Sequence, residues 1–207
     1  ASKAFGVQLS EVSKEQRTAA KAINFGLIYG MSPKGLVAYL KSYGIEISLD
    51  ETKQFHSAFF KLYRNYRPYH TVLWKRADKE FRENGEVLLK TLSGRVRRLT
   101  EDEMRYKSLQ DPSKKSPRKT VVYNTPVQSL ASDGLKQSLV LLWPHLKALG
   151  ARTVNLVHDE IIIECRKDAA EEMLGILEDC MVRGMERYLK KVPVLVESII
   201  ADSWAGK

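Results

Sequence analysis

Residues 13–30 read SKEQRTAAKAINFGLIYG and carry the most informative pattern in the chain. Ser13 followed by Gln16 is the capping-box pattern that begins a helix, and Gly30 is suited to end it. Two cations and two aromatic residues recur inside this helix at intervals of four: Arg17, Lys21, Phe25 and Tyr29. Because residues four apart lie on one side of a helix, the spacing predicts a face that carries all four side chains.

That face has the chemistry of a nucleotide-binding surface. Arg17 and Lys21 could grip a polyphosphate, which the positive potential at the helix N-terminus also attracts. Phe25 could pack on a sugar and Tyr29 on a base. The alternative is an amphipathic helix with two solvated cations and two core aromatics, and it suits any one of these residues taken alone.

Composition favours an acidic partner. The chain of 207 residues has a formal net charge of +9, with 43% hydrophobic and 29% charged residues. This is the balance of a globular protein, so a disordered chain is excluded. Nucleic acid is the first candidate partner and an anionic membrane surface the second, while a basic surface with no such role is an equal alternative.

The two cysteines and the hydropathy pattern exclude several classes. Cys165 and Cys180 form no CxxC pair, so neither a disulfide framework nor a zinc site is expected. No apolar run is long enough for a membrane span. We therefore expect no membrane partner and a reducing, cytoplasmic location.

Helix signals dominate the first part of the chain. Ser32-Pro33 predicts a second helix that closes at Gly44, and the capping-box pattern at Ser48 predicts a third. We expect Pro68 to interrupt the helical pattern, and a further helix to end at Asn84-Gly85.

The second part of the chain alternates between types of element. We predict a hairpin over 86–100, a loop over 101–117 and a helix over 126–149 that Pro144 kinks or shortens. The tail predicts strands over 152–157, 161–165 and 192–200, with an amphipathic helix over 168–190. The class is therefore α+β, with a helical half followed by a sheet-and-helix half.

A polar tetrapeptide joins the first two strands of the tail. Val157-His158-Asp159-Glu160 predicts a tight antiparallel hairpin with adjacent carboxylates at its tip. Such carboxylates can bind a hard cation such as Mg²⁺. A polar turn without a metal is at least as good an interpretation of this tetrapeptide alone.

The stretch from Gln16 to Gly30 closely resembles motif B, the O-helix of family A (DNA polymerase I-like) DNA polymerases. The resemblance implies that Arg17 and Lys21 hold the phosphates of an incoming dNTP, with Lys21 among the catalytic residues. It implies that Phe25 faces the sugar and that Tyr29 and Gly30 lie where the templating DNA base enters. In this family a phenylalanine at the position of Phe25, in place of tyrosine, is associated with rejection of dideoxynucleotides.

His158-Asp159-Glu160 is similar to motif C of the same family. The resemblance implies that Asp159 is a ligand of catalytic Mg²⁺ in a two-metal site, that Glu160 supports the site as a second catalytic carboxylate, and that His158 lies by the primer terminus. The related single-subunit RNA polymerases usually carry His-Asp-Ser here, so Glu160 favours a DNA polymerase.

Two further segments resemble DNA-contacting parts of the family. Asn124-Thr125-Pro126-Val127-Gln128 matches Asn-x-Pro-x-Gln, which implies that Asn124 and Gln128 contact the minor groove of primer–template DNA. Thr91 to Arg98 resembles Thr-x2-Gly-Arg-x-Arg and implies DNA contacts from Arg95 and Arg97, although an exposed basic edge that discourages aggregation fits equally. The chain departs from the family at Thr120, where an arginine is common, and in the altered run 129–133.

The resemblance covers nearly the whole chain and implies a fingers subdomain over 1–117 followed by a C-terminal palm portion over 118–207. The palm portion would be an antiparallel sheet with packed helices, and residues 13–30 would be the O-helix. No part of the sequence matches motif A, which supplies the second catalytic aspartate, or the thumb. We therefore expect template-directed DNA synthesis only with an N-terminal polymerase fragment, and little or no activity from the chain alone. A split gene, a shortened chain or an incomplete gene record would each explain the difference.

Two other functions stay open at this point. One is a non-catalytic nucleic-acid-binding module that keeps the polymerase fold, and the other is a fragment of a single-subunit RNA polymerase. The expected partners of the leading hypothesis are primer–template DNA and dNTPs. A bacterial or phage-infected cell is the expected setting, with an organelle as a further possibility.

Overall fold

Helices make up most of the computed structural model, which describes residues 1–106 and 115–206. The helices are α1 (Ser2–Phe5), α2 (Lys14–Ile28), α3 (Pro33–Lys41), α4 (Leu49–Leu62), α5 (Tyr66–Asn84), α6 (Lys119–Ala148) and α7 (Ala170–Glu186). The strands are β1 (Leu88–Lys90), β2 (Val96–Arg98), β3 (Met104–Tyr106), β4 (Lys115–Pro117), β5 (Arg152–Val157) and β6 (Glu160–Glu164). In the described ranges they pair in sequence order as three two-stranded sheets, which confirms the α+β class.

The chain divides into two compact units. The first comprises Ala1–Leu89 and Val96–Thr125, and the second comprises Lys90–Arg95 and Pro126–Lys207. The prediction of fingers over 1–117 and palm over 118–207 is a functional assignment, and it stays a prediction.

Local capping signals set the helix starts of the first unit. Ser13 accepts a hydrogen bond from the backbone N–H of Gln16 at 3.2 Å, and the Gln16 side chain accepts one from the Ser13 N–H at 3.0 Å. Ser48 and Glu51 form the same reciprocal box at the start of α4, and Ser32 caps α3 ahead of Pro33. The predicted starts of α2, α3 and α4 are therefore confirmed, because each depends on residues within one turn.

Two apolar clusters hold the first unit together. The larger joins α2, α3 and α4 through Ala22, Ile23, Leu27, Leu36, Leu40 and Phe59. The smaller joins α5, the β1–β2 hairpin and the start of α6 through Ala77, Val87, Leu99 and Val122. Leu27, Leu36 and Leu40 are fully buried, and each contributes about 1.5–3 kcal/mol by burial.

The second unit packs α6 and α7 on the β5–β6 hairpin. Its apolar cluster contains Leu142, Leu146, Ile161, Met173 and Cys180. The two helices approach closely where a Cβ on Gly184 would lie 2.6 Å from the backbone nitrogen of Ser138. Glycine is therefore required at this crossing.

Neither Pro68 nor Pro144 ends or interrupts a helix in the structure. Pro68 does not separate two helices but lies in the first turn of α5, where no intrahelical N–H bond is needed. α6 begins at Lys119 rather than 126 and continues through Pro144 to Ala148. Pro144 has no N–H to donate to the carbonyl of Val140, four residues earlier. Val140, Trp143 and Pro144 are exposed, so water can hydrogen-bond to that carbonyl instead.

Two expectations about extended segments also needed correction. Within the predicted loop over 101–117, residues 101–103 form a short 3₁₀ helix and residues 104–106 pair antiparallel with 115–117, so that Met104 lies opposite Pro117. Residues 107–114 of that loop lie outside the described residues. The predicted strand over 192–200 carries no strand hydrogen bonding in the structure. Its apolar residues Val192, Leu195 and Ile199 are exposed. An extended segment becomes a strand only by pairing with another, and this segment pairs with none of the described strands.

The remaining predicted elements are confirmed with shifted ends. The hairpin over 86–100 is the β1–β2 pair, and the first two tail strands are β5 and β6. The amphipathic helix over 168–190 is shorter in the structure, as α7. Within the part of the chain that the structure describes, no helix is long and apolar enough to cross a membrane.

Candidate functional site

One face of α2 carries the four side chains that the sequence spacing predicts. Arg17, Lys21 and Phe25 are exposed, with 41% of Phe25 accessible, and Tyr29 at the helix end is half-buried. The opposite face is buried in the first unit through Ala19, Ala20, Ala22, Ile23, Gly26 and Leu27. The alternative interpretation, with the two aromatics in the core, fails for Phe25 because its ring is open to solvent.

The two cations of this face are available for a ligand. No ion pair or side-chain hydrogen bond occupies Arg17 or Lys21 among the described residues. Glu15, the acidic residue nearest in sequence, bonds instead to Ser13, and its pKa is lowered by hydrogen bonds from its own backbone and from Ser13. Two positive groups without acidic partners on one helical face are suited to an anionic ligand.

The aromatic end of the face is a cluster of rings. Phe25 and Tyr29 stack with their centroids 6.2 Å apart and their planes at 24°. Tyr39 on α3 packs edge-on against Tyr43, and the two hydroxyl groups lie 3.2 Å apart. This hydrogen bond, with burial and the charges of Tyr43 and Tyr29, raises the pKa of Tyr39 to about 12. Tyr39 therefore stays neutral at physiological pH, and the cluster offers uncharged flat surfaces of the kind on which bases stack.

α2 ends against a second aromatic pair that the sequence did not reveal. Gly30 has φ +78°, and a Cβ there would lie 2.4 Å from Cδ2 of Tyr123. Tyr123 stacks in turn on His70, with centroids 4.0 Å apart and planes at 5°. The sequence pattern indicated no site role for His70 or Tyr123, because no local spacing links residues 30, 70 and 123.

The β5–β6 hairpin carries the predicted carboxylates at its tip. Val157 pairs with Glu160 across the turn, and His158 adopts φ 55° in that turn. His158 and Asp159 are exposed, and Glu160 is half-buried. The predicted tight hairpin is confirmed.

The hairpin supplies some, but not all, of the ligands that a magnesium site needs. Asp159 and Glu160 provide carboxylate oxygens, which Mg²⁺ prefers. Within residues 1–106 and 115–206, no group of three or more His, Cys, Asp or Glu side chains lies close enough to hold a metal ion. The donor set therefore fits one side of a magnesium site, and further oxygen ligands are required to complete it.

Arg95, predicted to contact DNA, is also bound inside the second unit. Its Nε donates to Oδ1 of Asp133 at 2.9 Å, and Ser93 donates to Oδ2 at 2.6 Å. Asp133 is 5% exposed. Burial raises the pKa of Asp133, but hydrogen bonds from Ser93, Arg95 and Thr91 and the charge of Arg95 together hold it below its ordinary value. Asp133 lies in the run 129–133 that departs from the family pattern, and sequence reasoning gave it no role.

Arg97 is similarly engaged in the first unit. Its Nη1 donates to Oγ1 of Thr125 at 2.7 Å, and its Nη2 bonds to Glu103. About half of each arginine side chain is still exposed, so DNA contact by Arg95 and Arg97 stays a prediction for the remaining N–H groups.

The amide pair predicted to contact the minor groove lies one helical turn apart on α6. Asn124 is half-buried and Gln128 is exposed. Asn124 belongs to the first unit with the α2 residues and Arg97. Gln128 belongs to the second unit with Arg95, His158, Asp159 and Glu160.

Comparison with known proteins supplies the family. The chain matches DNA polymerase family A over residues 1–206. It is 41% identical to DNA polymerase I of Aquifex aeolicus across 99% of this chain and 32% of that protein. It is 34% identical to the thermostable DNA polymerase I of Thermus aquaticus, over 97% of this chain and 22% of that protein. The chain thus spans between a fifth and a third of these relatives.

A solved structure agrees with the sequence comparison. The POL domain of Pol1 from M. smegmatis, in complex with DNA primer–template and dNTP, superposes with a TM-score of 0.67 and 28% identity. The superposition covers 88% of this chain and 30% of that one. Matched over nearly its whole length in sequence and in fold, the chain belongs to DNA polymerase family A.

Proposed function

We propose that this chain is the part of a template-directed DNA polymerase that binds the incoming dNTP and carries one aspartate of the metal site. The observation that carries the proposal is the exposed face of α2, on which two cations with no ion pair among the described residues precede two aromatic rings. A solved family member with 28% identity is in complex with primer–template and dNTP, which are the ligands this face suits.

Each residue of the face has a role that follows from its chemistry. Arg17 and Lys21 would bind the negatively charged phosphates of the dNTP, with charge-assisted hydrogen bonds that neutral donors cannot match. Phe25 would lie against the sugar and Tyr29 against the templating base. Lys21 would also offset negative charge that develops on the phosphates during nucleotidyl transfer.

The β5–β6 hairpin would contribute the catalytic carboxylates. Asp159 would hold Mg²⁺, Glu160 would support this site, and His158 would lie by the primer terminus. A bound Mg²⁺ pair supplies activation of the primer hydroxyl and neutralisation of the leaving pyrophosphate. Because the described residues place no third metal-binding side chain with this carboxylate pair, a further aspartate would come from another polymerase segment, in the same or another polypeptide.

DNA would be held by groups outside the nucleotide face. Asn124 and Gln128 are suited to the minor groove, whose acceptors are similar in all base pairs. Arg95 and Arg97 would contact phosphates with the N–H groups that their internal partners leave free. A net charge of +9 supports attraction to DNA as a whole.

Primer extension tests the proposal directly. The chain would be assayed with Mg²⁺, dNTPs and primer–template, first alone and then mixed with a fragment of the Aquifex aeolicus relative. That fragment would contain the residues that precede the region aligned with this chain. We expect extension only in the mixture. Asp159→Asn should lower its rate by about three orders of magnitude, since a metal ligand supplies several kcal/mol of transition-state stabilisation.

Asp168→Asn is the matched control. Asp168 is an exposed aspartate in the same unit, ion-paired with Arg166, and its replacement should leave the rate unchanged. Extension by the chain alone would show that the metal site is complete within these residues. DNA binding without extension, unaltered in Asp159→Asn, would instead identify a non-catalytic binding module. Preference for rNTPs would identify an RNA polymerase.

A further inference from the structure

The C-terminal end of α2 is held by an aromatic ring from α6. Gly30 immediately follows Tyr29, and the space that a side chain at position 30 would fill is taken by the ring of Tyr123. The Cδ2 and Cε2 atoms of that ring lie 2.4 Å and 2.6 Å from an ideal Cβ. The backbone of the helix end therefore rests directly on the ring.

His70 makes a second attachment to the same helix end. Its imidazole lies flat on Tyr123 and near the backbone of Ile28, the last residue of α2, whose polarity raises the pKa of His70. Burial lowers the pKa of His70 more than the Ile28 backbone raises it, which favours the neutral form of the ring.

The imidazole is itself fixed by surrounding rings. His70 is only 6% exposed. The ring centroids of Tyr66 and Phe60 lie 5.8 Å and 6.3 Å from that of His70, and both rings are in edge-to-face contact with it. Aromatic contacts of this geometry add stability beyond their buried area. The His70–Tyr123 stack is thus packed against both α4 and α5.

Both residues next to the stack are predicted to contact substrate. Tyr29 precedes Gly30, and Asn124 follows Tyr123. All of these residues belong to the first unit. The stack therefore joins the end of the nucleotide face to the segment predicted to read the primer–template.

We propose that His70 and Tyr123 are positioning residues that fix the end of α2 against the start of α6. Tyr29 and Asn124 are thereby held at a set separation for the templating base and the duplex next to it. This role rests on the proposed polymerase function. Positioning matters because displacement by about 1 Å can lower the rate of a reaction about a hundredfold.

Amide hydrogen exchange on the isolated chain tests the structural half of the role. The N–H groups of Tyr29, Gly30 and Met31 are bonded within the end of α2, to Phe25, Leu27 and Gly26. His70→Ala and Tyr123→Leu should increase their exchange about tenfold or more. Tyr123→Phe keeps the ring and should leave exchange unchanged. His56→Ala is the matched control, because His56 also packs on Phe60 but does not contact Tyr123.

The efficiency of nucleotide incorporation by the reconstituted mixture tests the functional half. His70→Ala and Tyr123→Leu should lower kcat/KM for the correct dNTP about 10- to 100-fold and reduce its preference over an incorrect dNTP. His56→Ala and Tyr123→Phe should match the native chain in both respects.

The outcomes separate this inference from the function on which it rests. An inactive native mixture overturns the polymerase function and this role with it. An active mixture in which His70→Ala and Tyr123→Leu leave kcat/KM or selectivity unchanged overturns the positioning role alone. The positioning role is also overturned if His70→Ala and Tyr123→Leu leave amide exchange at residues 29–31 unchanged, or if His56→Ala increases that exchange as much as they do.

Discussion

Two groups of cations predicted to bind phosphates, one those of a dNTP and the other those of DNA, have different surroundings in this chain. On α2, Arg17 and Lys21 are exposed, with no ion pair among the described residues. On the β1–β2 hairpin, Arg95 is bonded to the buried Asp133, and Arg97 to Thr125 and Glu103. The same residue types thus have different tasks, because a cation without a carboxylate partner is available to a ligand, whereas a paired one first stabilises its own fold.

The largest effect is expected on α2. Replacing both Arg17 and Lys21 with alanine should raise the dNTP concentration for half-maximal primer extension by about a hundredfold or more, since two charge-assisted contacts are lost. The free energy of unfolding should stay nearly unchanged, because neither side chain is bonded within the described residues. Lys14→Ala is the control, as Lys14 is an exposed cation of the same helix. A twofold or smaller rise in the double variant would contradict the α2 assignment.

The second effect is expected on the hairpin and should be one of stability. Arg95→Ala leaves Asp133, at 5% exposure, without its guanidinium partner, so the free energy of unfolding should fall by about 2–4 kcal/mol. Urea denaturation followed by circular dichroism measures this change. Arg98→Ala is the matched control, because Arg98 on the same hairpin makes an exposed ion pair with Glu86. Equal losses in the two variants would show that the Arg95–Asp133 link is not structural.

A smaller effect is expected at the sugar-facing position of α2. The native chain, with Phe25, should reject dideoxynucleotides, and Phe25→Tyr should reduce that discrimination about tenfold, because its hydroxyl adds a hydrogen-bonding group worth about 1.4 kcal/mol. The ratio of ddNTP to dNTP incorporation in the reconstituted mixture measures this, and Phe25→Leu should keep the native preference. A native ratio near one would remove Phe25 from the sugar site.

The smallest effect is a dependence of stability on pH. The pKa of Asp133 in the folded chain lies below its ordinary value of 3.8. Its ionised carboxylate therefore stabilises the folded state, and this contribution is fully present when the pH is above that ordinary pKa. This contribution is lost as the pH falls from about 4 through the lowered pKa. The free energy of unfolding should therefore drop more steeply with falling pH in the native chain than in Asp133→Asn. Parallel curves below pH 4 would contradict the ion-pair interpretation.

Local sequence predicted most of the helical frame. The starts of α2, α3 and α4 followed from Ser13, Ser32 and Ser48, since a cap depends only on residues within the next turn. The exposed face of α2 followed from the four-residue spacing, because residues four apart lie on one side of a helix. The strand predicted over 192–200 failed because a strand needs a partner, which a sequence pattern does not specify.

The sequence by itself determined the family, the exposed face of α2 with its two cations and two aromatics, and the carboxylate tip of the β5–β6 hairpin. Each of these lies in a short stretch whose helix or turn fixes the relative positions of its side chains. Only the tertiary structure decided which cations are engaged, and that Tyr123, stacked on His70, lies against Gly30 at the end of α2. The Arg95–Asp133, His70–Tyr123 and Gly30–Tyr123 contacts join residues 38, 53 and 93 positions apart, and no local periodicity encodes them because they exist only once separate elements pack together.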